Sequence, residues 1–324
     1  MTRLRQSQGA AATRILGIGS SQPERVVTND DLSKIMDTND EWIRDRVGIT
    51  ERRVAGPKDT VVSMAVEAGA KAIAAAGLTP SDVDTVLVAN CTTTVPIPNA
   101  AAQVAELVGV KGAGGFDLNA ACAGFCYALA AASDMVRAGS AGRVLVIGSE
   151  KLTDVVDPVD RSTAIIFADA AGAMVVGPSD EPGIGPVAWG TAGDLVEMIT
   201  MPNDRYIFQE GQSVFRWATT KIAPIAMRAL ELAGVQPSDV DVLIPHQANL
   251  RIVEAIAKRL RKNGAREDMV VADDIVTSGN TSSASIPMAM DHMRAEGRVH
   301  SGDVALLIGF GAGLSYAGQV VICP

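Results

Sequence analysis

The sequence has 324 residues, 48% of them hydrophobic, so it buries a large core and is neither disordered nor fibrous. Its 28 basic and 37 acidic residues give a formal charge of -9, which repels the phosphate backbone of nucleic acid. Four cysteines in a chain of this length do not form the dense framework of a small secreted domain. We therefore expect reduced thiols, a cytoplasmic location and no nucleic-acid partner.

The sequence carries no pattern typical of membrane targeting. The first 27 residues contain only the short apolar stretch Ile15–Ile18, which is too short for the apolar region of a signal peptide. The longest apolar run, Ala164–Val176, is interrupted by Asp169 and falls short of the ~20 residues of a membrane-spanning helix. We expect neither export nor a membrane partner.

Short apolar runs alternate with Ala-rich helical patterns along the chain. Helices are predicted around 61–76, 121–138, 214–233 and 286–296, and strands around 86–89, 115–118, 142–148, 242–244 and 302–309. This alternation is typical of α/β layers.

The chain repeats one plan. Ala76-Gly-Leu-Thr-Pro-Ser-Asp-Val-Asp84 recurs as Ala233-Gly-Val-Gln-Pro-Ser-Asp-Val-Asp241, with starts at positions 76 and 233, 157 apart. In each copy a glycine ends a helix, and a Pro-Ser-Asp turn then leads into a short strand. Residues 1–180 and 181–324 are therefore predicted to be two similar halves, joined tightly by the breaker-rich segment 177–186. An active site is expected where the halves meet.

Cys122 is a candidate nucleophile. It lies where an extended stretch turns into a small-residue helix, in Gly115-Phe-Asp-Leu-Asn-Ala-Ala-Cys-Ala-Gly-Phe125. The helix dipole and unpaired N–H groups at such a position favour the thiolate, although a buried structural cysteine fits the same pattern. Cys126 lies one helical turn away, but no second ligand pair accompanies it, so no metal site is expected. Cys91 and Cys323 are predicted to be structural.

His246 and Asn280 are candidate partners of this thiol. His246 ends the buried run 242–245, where a strand delivers its side chain to a helix start, whereas His292 and His300 are predicted to lie on the surface. Asn280 lies in Ser278-Gly-Asn-Thr-Ser-Ser-Ala-Ser285, after the matching strand of the second half. A structural histidine and a turn-forming or capping asparagine are the alternatives.

The repeat places the Asn280 segment across from the Cys122 segment. A Cys-His-Asn set fits a papain-like hydrolase, in which His is the base, or a condensing enzyme, in which His and Asn donate to a thioester oxygen. The duplicated α/β plan favours the condensing enzyme. The glycine-rich turn 309–315 is suited to offering a backbone N–H to an oxyanion.

Spaced motifs over nearly the whole chain resemble those of the β-ketoacyl-acyl-carrier-protein synthase III family, of actinobacterial type. They are Asp37-Thr-Asn-Asp-Glu-Trp-Ile-Arg-Asp-Arg-Val-Gly48, the Cys122 segment, Asp160-Arg-Ser-Thr163, Pro245-His-Gln-Ala-Asn249, Gly279-Asn-Thr-Ser282 and Gly309-Phe-Gly-Ala-Gly313. The resemblance implies a thiolase-like α/β fold, with duplicated βα halves in an α-β-α-β-α arrangement.

The resemblance also implies a reaction. An acyl-CoA primer would undergo decarboxylative Claisen condensation with malonyl-acyl carrier protein, giving 3-oxoacyl-carrier protein and CO2 and initiating fatty acid synthesis. No cofactor is expected beyond the CoA thioester substrate, and a homodimer is expected. The alternatives are a starter-unit priming ketosynthase of a polyketide pathway, an acyl-CoA-dependent acyltransferase of the same fold, and a noncatalytic scaffold.

The resemblance assigns roles to the three candidate residues. Cys122 would accept the acyl group, and His246 and Asn280 would stabilise the thioester carbonyl while the malonyl group decarboxylates. The backbone N–H groups of Cys122 and Ala312 would form the oxyanion hole.

Binding residues are implied in the same way. Trp42 and Arg161 would sandwich the CoA adenine, Arg46 would lie near its phosphates, and Asn249 would face its pantetheine arm. Phe310 would line the acyl pocket. So would Ile97, where many relatives have Phe, inserted from the partner subunit.

A basic segment indicates an acidic partner. Residues 251–262 carry five basic side chains and the single acidic residue Glu254, on a chain with a charge of -9. By the resemblance this helix docks the carrier protein through Arg251, Lys258 and Arg259, with Arg216 nearby. A solvated amphipathic helix is the alternative.

Overall fold

The computed structural model describes residues 4–202 and 205–324. Its strands are β1 (Ala12–Ser21), β2 (Val26–Thr28), β3 (Glu51–Arg53), β4 (Thr85–Ala89), β5 (Gly114–Leu118), β6 (Val144–Lys151), β7 (Asp169–Ser179), β8 (Ala188–Thr191), β9 (Ile199–Thr200), β10 (Phe208–Gln209), β11 (Val242–Pro245), β12 (Val270–Val271), β13 (Val304–Gly311) and β14 (Ser315–Ile322). Its helices are α1 (Asn29–Ser33), α2 (Asp40–Val47), α3 (Val61–Ala75), α4 (Ala100–Val108), α5 (Gly124–Ala138), α6 (Gly211–Ala233), α7 (Leu250–Lys262), α8 (Ile275–Ser278) and α9 (Ser285–Ala295). None of these helices, within the described ranges, is long and apolar enough to cross a membrane.

Two five-stranded sheets have equivalent strand orders. The first sheet is ordered β1-β7-β6-β4-β5 and the second β8-β14-β13-β11-β12. In both sheets the last three strands named are parallel, and the strand next to them is antiparallel. The predicted duplication of a βα plan is therefore confirmed. The boundary at residue 180 stays a prediction, supported by the change of sheet between β7 and β8.

Alternation along the strands builds the layers. In β4, Val86 and Val88 pack with the apolar faces of α3 and α4, whereas Leu87 and Ala89 pack with α5 and α9. The outer face of the second sheet is covered by α6 and α7. The layers therefore run α3/α4, first sheet, α5/α9, second sheet, α6/α7, which confirms the predicted α-β-α-β-α arrangement.

The repeated glycines end equivalent helices. Gly77 follows α3 and Gly234 ends α6, with φ angles of +67° and +70°. The left-handed conformation is accessible to glycine without a Cβ clash. In each half the backbone then enters a Pro-Ser-Asp 3-10 turn and a buried interior strand, β4 or β11.

Two more glycines let the halves approach closely. Gly148 in β6 lies against the backbone of Ser283, and Gly309 in β13 lies where a Cβ would stand 3.0 Å from the Cα of Ala123. β6 thus packs against the turn that precedes α9, and β13 packs against the turn that precedes α5. This contact fixes the position of both turns.

Gly148→Ala is expected to destabilise the protein, because the added Cβ collides with backbone of the other half. The expected loss is about 1–3 kcal/mol of unfolding free energy, measured by denaturant or thermal unfolding. Gly193→Ala is the matched control, since no atom lies within 4 Å of its added Cβ. Equal stability of the two variants would show that the halves are not in close contact at Gly148.

Candidate active site

A cavity of about 820 Å³ opens where the two halves meet. Both halves contribute to its lining. The predicted site residues that line it are Trp42, Arg46, Cys122, Arg161, Arg216, His246, Asn249, Arg251, Asn280, Phe310 and Ala312. Three predicted residues, Ile97, Lys258 and Arg259, do not line it.

Cys122 lies in a 3-10 turn, Ala121–Ala123, immediately before α5 rather than within the helix. The turn is strained, because Ala121 has a φ of +47°. The Asn119 side chain holds it by accepting the N–H of Ala121 at 3.0 Å. Gly311 packs on the nucleophile so closely that a Cβ there would lie 2.7 Å from the Cβ of Cys122. Any side chain at position 311 would therefore collide with the nucleophile.

The expected activation of this thiol by its position is outweighed by burial. Burial raises the pKa of Cys122 to about 12, and hydrogen bonds from Ser282 and from its own backbone N–H oppose the rise only in part. The nearby Glu150 raises the pKa of the thiol further. The effect of burial on the pKa is thus larger than the effect of the helix start. Cys122 is therefore a thiol, and it must lose its proton in order to react.

His246 follows the end of β11 and is held from two sides. Its backbone N–H donates to Ile308 O at 2.7 Å, and its ring Nδ1 lies 2.8 Å from Ser285 Oγ. The ring packs edge-on against Phe310, with centroids 5.3 Å apart. Burial lowers the pKa of His246 to about 3, so the ring is neutral. With Nδ1 bound to Ser285, Nε2 is the nitrogen left for a ligand.

Asn280 is oriented by its own turn. Its Oδ1 accepts the N–H of Ser282 at 2.9 Å, and its backbone N–H donates to Ile166 O at 2.9 Å. Because Oδ1 is occupied, the Nδ2 group is the one available to donate into the cavity. Asn280 is 5% exposed, so a ligand reaches it only through the cavity.

In the structure, the internal repeat does not make Cys122 and Asn280 equivalent positions, contrary to the prediction from the sequence. Asn119 is the equivalent of Asn280, since each accepts an N–H two residues later. Ser282, with a φ of +50°, is then the equivalent of Ala121, and the nucleophile corresponds to Ser283. The two turns still lie side by side, so the predicted proximity is observed.

The predicted CoA residues form a slot at the mouth of the cavity. Trp42 lies on α2, and the guanidinium groups of Arg161 and Arg46 lie 4.7 and 5.0 Å from its ring centroid. Asn249 caps α7 by accepting the N–H of Arg251 at 2.9 Å, and it donates to Arg46 O at 3.1 Å. The slot therefore joins α2 to α7, and Asn249 is partly engaged as a helix cap.

The remaining predicted residues lie outside the cavity or at its edge. Ile97 is 84% exposed, in the loop after β4. Lys258 and Arg259 are exposed on α7, farther along the helix than Arg251, whose guanidinium lies 5.1 Å from the Phe215 ring centroid. A basic surface thus runs from the mouth of the cavity along α7.

Two predictions about single residues are wrong. Cys91 is not a bland structural residue, because it lines the cavity and its thiol lies 3.4 Å from Glu150 Oε1. His292 is half-buried rather than on the surface, with Nδ1 2.7 Å from Asp274 Oδ1. Burial lowers its pKa, but the hydrogen bond and charge of Asp274 raise it more. His300 is exposed, as predicted.

The sequence did not indicate four residues that surround Cys122, His246 and Asn280. They are Glu150, Ser282, Ser285 and Gly311. The serines were visible as a run after Asn280, and Glu150 as the first charge after the apolar run 144–148, but neither pattern indicates what the side chains contact. Within residues 4–202 and 205–324, no cluster of three or more His, Cys, Asp or Glu side chains is suited to hold a metal ion.

A duplicated five-layer fold with Cys, His and Asn side chains lining one cavity defines a thiolase-fold condensing enzyme. Family comparison narrows the class. Residues 116–193 match the model for 3-oxoacyl-[acyl-carrier-protein (ACP)] synthase III, and residues 230–323 match the model for its C-terminal part. The chain belongs to the β-ketoacyl-acyl-carrier-protein synthase III family. The predicted family, fold and activity as a condensing acyltransferase of fatty acid biosynthesis are confirmed, and the papain-like alternative is excluded.

Similar proteins match nearly the whole chain. The chain is 51% identical over 316 residues to Beta-ketoacyl-[acyl-carrier-protein] synthase III 4 of Streptomyces coelicolor, covering 96% of this chain and 99% of that one. It superposes on the priming β-ketosynthase of the R1128 polyketide pathway with a TM-score of 0.95 and 43% identity, covering 100% and 99%. The synthase III of Aquifex aeolicus gives a TM-score of 0.91 and 40% identity, covering 96% and 100%.

Alkylation of Cys122 is expected to follow its raised pKa. The rate with iodoacetamide should rise about tenfold per pH unit from pH 7 to 10, because only the thiolate reacts. Peptide mass spectrometry distinguishes Cys122 from the buried Cys126, which serves as the internal control. A plateau below pH 8 would contradict the account, since it would mean a thiol that is already ionised at neutral pH.

Proposed function

We propose that the cavity joins an acyl-CoA primer to malonyl-acyl carrier protein with loss of CO2, giving 3-oxoacyl-carrier protein. The observation that carries the proposal is the shared lining of one cavity by Cys122 from the first half and His246 and Asn280 from the second. Membership of the synthase III family supports the same reaction. No cofactor takes part in it, and a chain with this role works in the cytoplasm.

In the first half-reaction, Cys122 takes the acyl group. Its sulfur attacks the thioester carbon of the primer, and the carbonyl oxygen becomes an oxyanion. The backbone N–H groups of Cys122 and Ala312 bind this oxygen; both residues line the cavity, and Gly311 holds the turn of Ala312 against the thiol. The tetrahedral intermediate then collapses, CoA leaves as its thiol with the proton that Cys122 gives up, and the acyl group remains on Cys122.

In the second half-reaction, His246 and Asn280 act on the malonyl group. The Nε2–H of His246 and the Nδ2–H of Asn280 donate to the malonyl thioester oxygen, so the negative charge released by decarboxylation is stabilised as an enolate. Donation from Nε2 requires that the Ser285 hydroxyl donate to Nδ1, which fits the 2.8 Å separation. The enolate carbon attacks the acyl group on Cys122.

The slot at the mouth holds CoA. Arg161 lies 4.7 Å from the Trp42 ring centroid, so it moves away from the ring to admit a purine, which then stacks between the two side chains. Arg46 supplies positive charge for the phosphates. The pantetheine arm then passes Asn249 and reaches Cys122 at the bottom of the cavity, while Phe310 bounds the acyl group.

The basic surface of α7 docks the acidic carrier protein. Arg251 and Arg216 lie at the mouth, and Lys258 and Arg259 extend the positive charge along the helix. A carrier protein bound there places its prosthetic arm over the cavity. Opposite charges at such a surface chiefly speed association, and salt weakens the effect.

The enzyme acts as a homodimer in which Ile97 reaches the partner's acyl pocket. Ile97 is 84% exposed and Val95 is 60% exposed, and the neighbouring edge strand β5 exposes Phe116. An exposed apolar loop beside an unpaired strand edge is suited to bind a second copy. Light scattering that gives the mass of one chain would contradict this arrangement.

Polyketide starter priming is the second candidate function. Its support is the superposition on the R1128 priming ketosynthase over the whole chain. Ile97 is consistent with it, because a side chain smaller than Phe leaves room for a larger primer. The chemistry is the same, and only the acyl group and the carrier protein differ.

Incubation with acyl-CoA is expected to acylate Cys122. Intact-mass measurement should show the mass of one acyl group on the protein and on the Cys323→Ala control, but not on Cys122→Ala. Competition among acetyl-, isobutyryl- and longer acyl-CoA, with malonyl carrier protein present, identifies the primer. A protein that forms no adduct with any acyl-CoA, or only hydrolyses it, would refute the proposed reaction.

Charge reversal on α7 is expected to slow only the carrier-dependent step. Lys258→Glu with Arg259→Glu should lower kcat/KM for malonyl carrier protein by about tenfold or more, because attraction becomes repulsion. Acylation by acyl-CoA should be unchanged, since neither residue lines the cavity. Arg137→Glu, on α5, is the control for a charge reversal elsewhere. Equal losses in both half-reactions would refute docking on α7.

A further inference from the structure

Gln247 is a polar residue that the proposed reaction leaves without a role. It directly follows His246, it is fully buried, and it does not line the cavity. A buried carboxamide is costly unless its N–H and C=O groups are hydrogen-bonded, so its partners show what its burial achieves.

The Gln247 carboxamide joins the end of β11 to the start of α8. Its Nε2 donates to Pro245 O at 2.7 Å and to Ala272 O at 3.5 Å, and its Oε1 accepts the N–H of Ile275 at 3.1 Å. That N–H belongs to the first residue of α8, so it has no acceptor within the helix. Because all three partners are backbone groups of fixed polarity, the carboxamide has one orientation.

The position of α8 determines the position of Asn280. The helix is a single turn, and Asn280 follows two residues after its end. Thr50 holds the helix by donating its N–H and its hydroxyl proton to Val276 O, both at 2.8 Å. Gln247 holds its first N–H. Loss of the carboxamide therefore releases the start of the segment that leads to Asn280.

The backbone N–H of Gln247 acts on the other donor. It donates to Ser285 Oγ at 3.4 Å, and the same oxygen lies 2.8 Å from His246 Nδ1. Among the residues that the structure describes, these are the two partners of Ser285 Oγ, and an N–H cannot accept. The hydroxyl proton is therefore directed to Nδ1, which places the ring proton on Nε2. The opposite tautomer would leave the proton of a fully buried serine without an acceptor, which disfavours that tautomer by about tenfold or more.

We propose that Gln247 is a positioning residue for the decarboxylation step. It fixes the tautomer of His246 through Ser285, and it fixes the position of Asn280 through α8. The inference rests on the proposed function, in which the histidine and the asparagine donate to the malonyl thioester oxygen. Within residues 4–202 and 205–324, none of the hydrogen bonds of Gln247 reaches Cys122, so the acyl-transfer step does not depend on it.

Gln247→Met in the full-length protein tests the proposal, because methionine has a similar length and forms none of these side-chain hydrogen bonds. Acylation by acetyl-CoA, followed by rapid quench and intact mass, is expected to keep its wild-type rate. The acylated protein is then mixed with labelled malonyl carrier protein. Its release of CO2 is expected to be slower by about tenfold or more, because misplaced donors stabilise the enolate less.

Gln319→Met is the matched control. Gln319 is another fully buried glutamine of the second half, on β14, where its Nε2 donates to Gly185 O at 2.8 Å, and it does not line the cavity. This variant is expected to lose stability and to keep both half-reaction rates. A loss of CO2 release equal to that of Gln247→Met would show that the effect is general destabilisation, and it would refute positioning.

The ring nitrogens of His246 give a second test, which does not require that Gln247→Met folds. The chain has three histidines, so the ¹⁵N spectrum is simple, and the exposed His300 is an internal reference. In the wild-type protein at pH 7, Nδ1 is expected to be unprotonated and Nε2 protonated. Ser285→Ala is expected to spread the proton over both nitrogens and to slow CO2 release. Ser133→Ala removes a buried hydroxyl group on α5 and is expected to change neither.

Each contrary result has one meaning. If Gln247→Met slows both half-reactions equally, or neither, positioning is refuted and the proposed function stands. A proton on Nδ1 of His246 in the wild-type protein also refutes it. If the wild-type protein is not acylated, or if its acylated form releases no CO2, the proposed function itself fails and the inference fails with it.

Discussion

The close packing of two equivalent turns across the interface between the halves determines the rest of the structure. Gly148 and Gly309 have no side chain, so β6 and β13 can each press on the turn that begins the other half's central helix. The turns that carry Cys122 and Asn280 are thereby held side by side. Neither half alone contains a site, because the cavity exists only between them.

The same packing sets the electrostatics of the site. Burial disfavours the charged forms of both groups, so His246 is neutral and Cys122 is protonated. Neutral donors suit this reaction, because the negative charge on the thioester oxygen develops only as the malonyl group decarboxylates to the enolate. A protonated thiol, however, must lose its proton before it can take the acyl group.

Much of the fold and part of the site could be predicted from the sequence. The repeat of Ala76–Asp84 in Ala233–Asp241 predicts duplication, because helix-ending glycines and Pro-Ser-Asp turns are local features. The pKa of Cys122 could not be predicted, since it depends on burial between the halves. Glu150 and Ser285 were missed for the same reason: their roles depend on contacts between residues far apart in sequence.

The central claim is that the halves divide the chemistry, with acyl binding on Cys122 and decarboxylation promoted from the second half. Release of labelled CO2 from malonyl carrier protein tests it most directly, in Cys122→Ala with and without Asn280→Ala. We predict that Cys122→Ala still releases CO2, and that adding Asn280→Ala lowers the rate by on the order of 10²-fold. Release that stops with Cys122→Ala, or is unaffected by Asn280→Ala, would contradict the account.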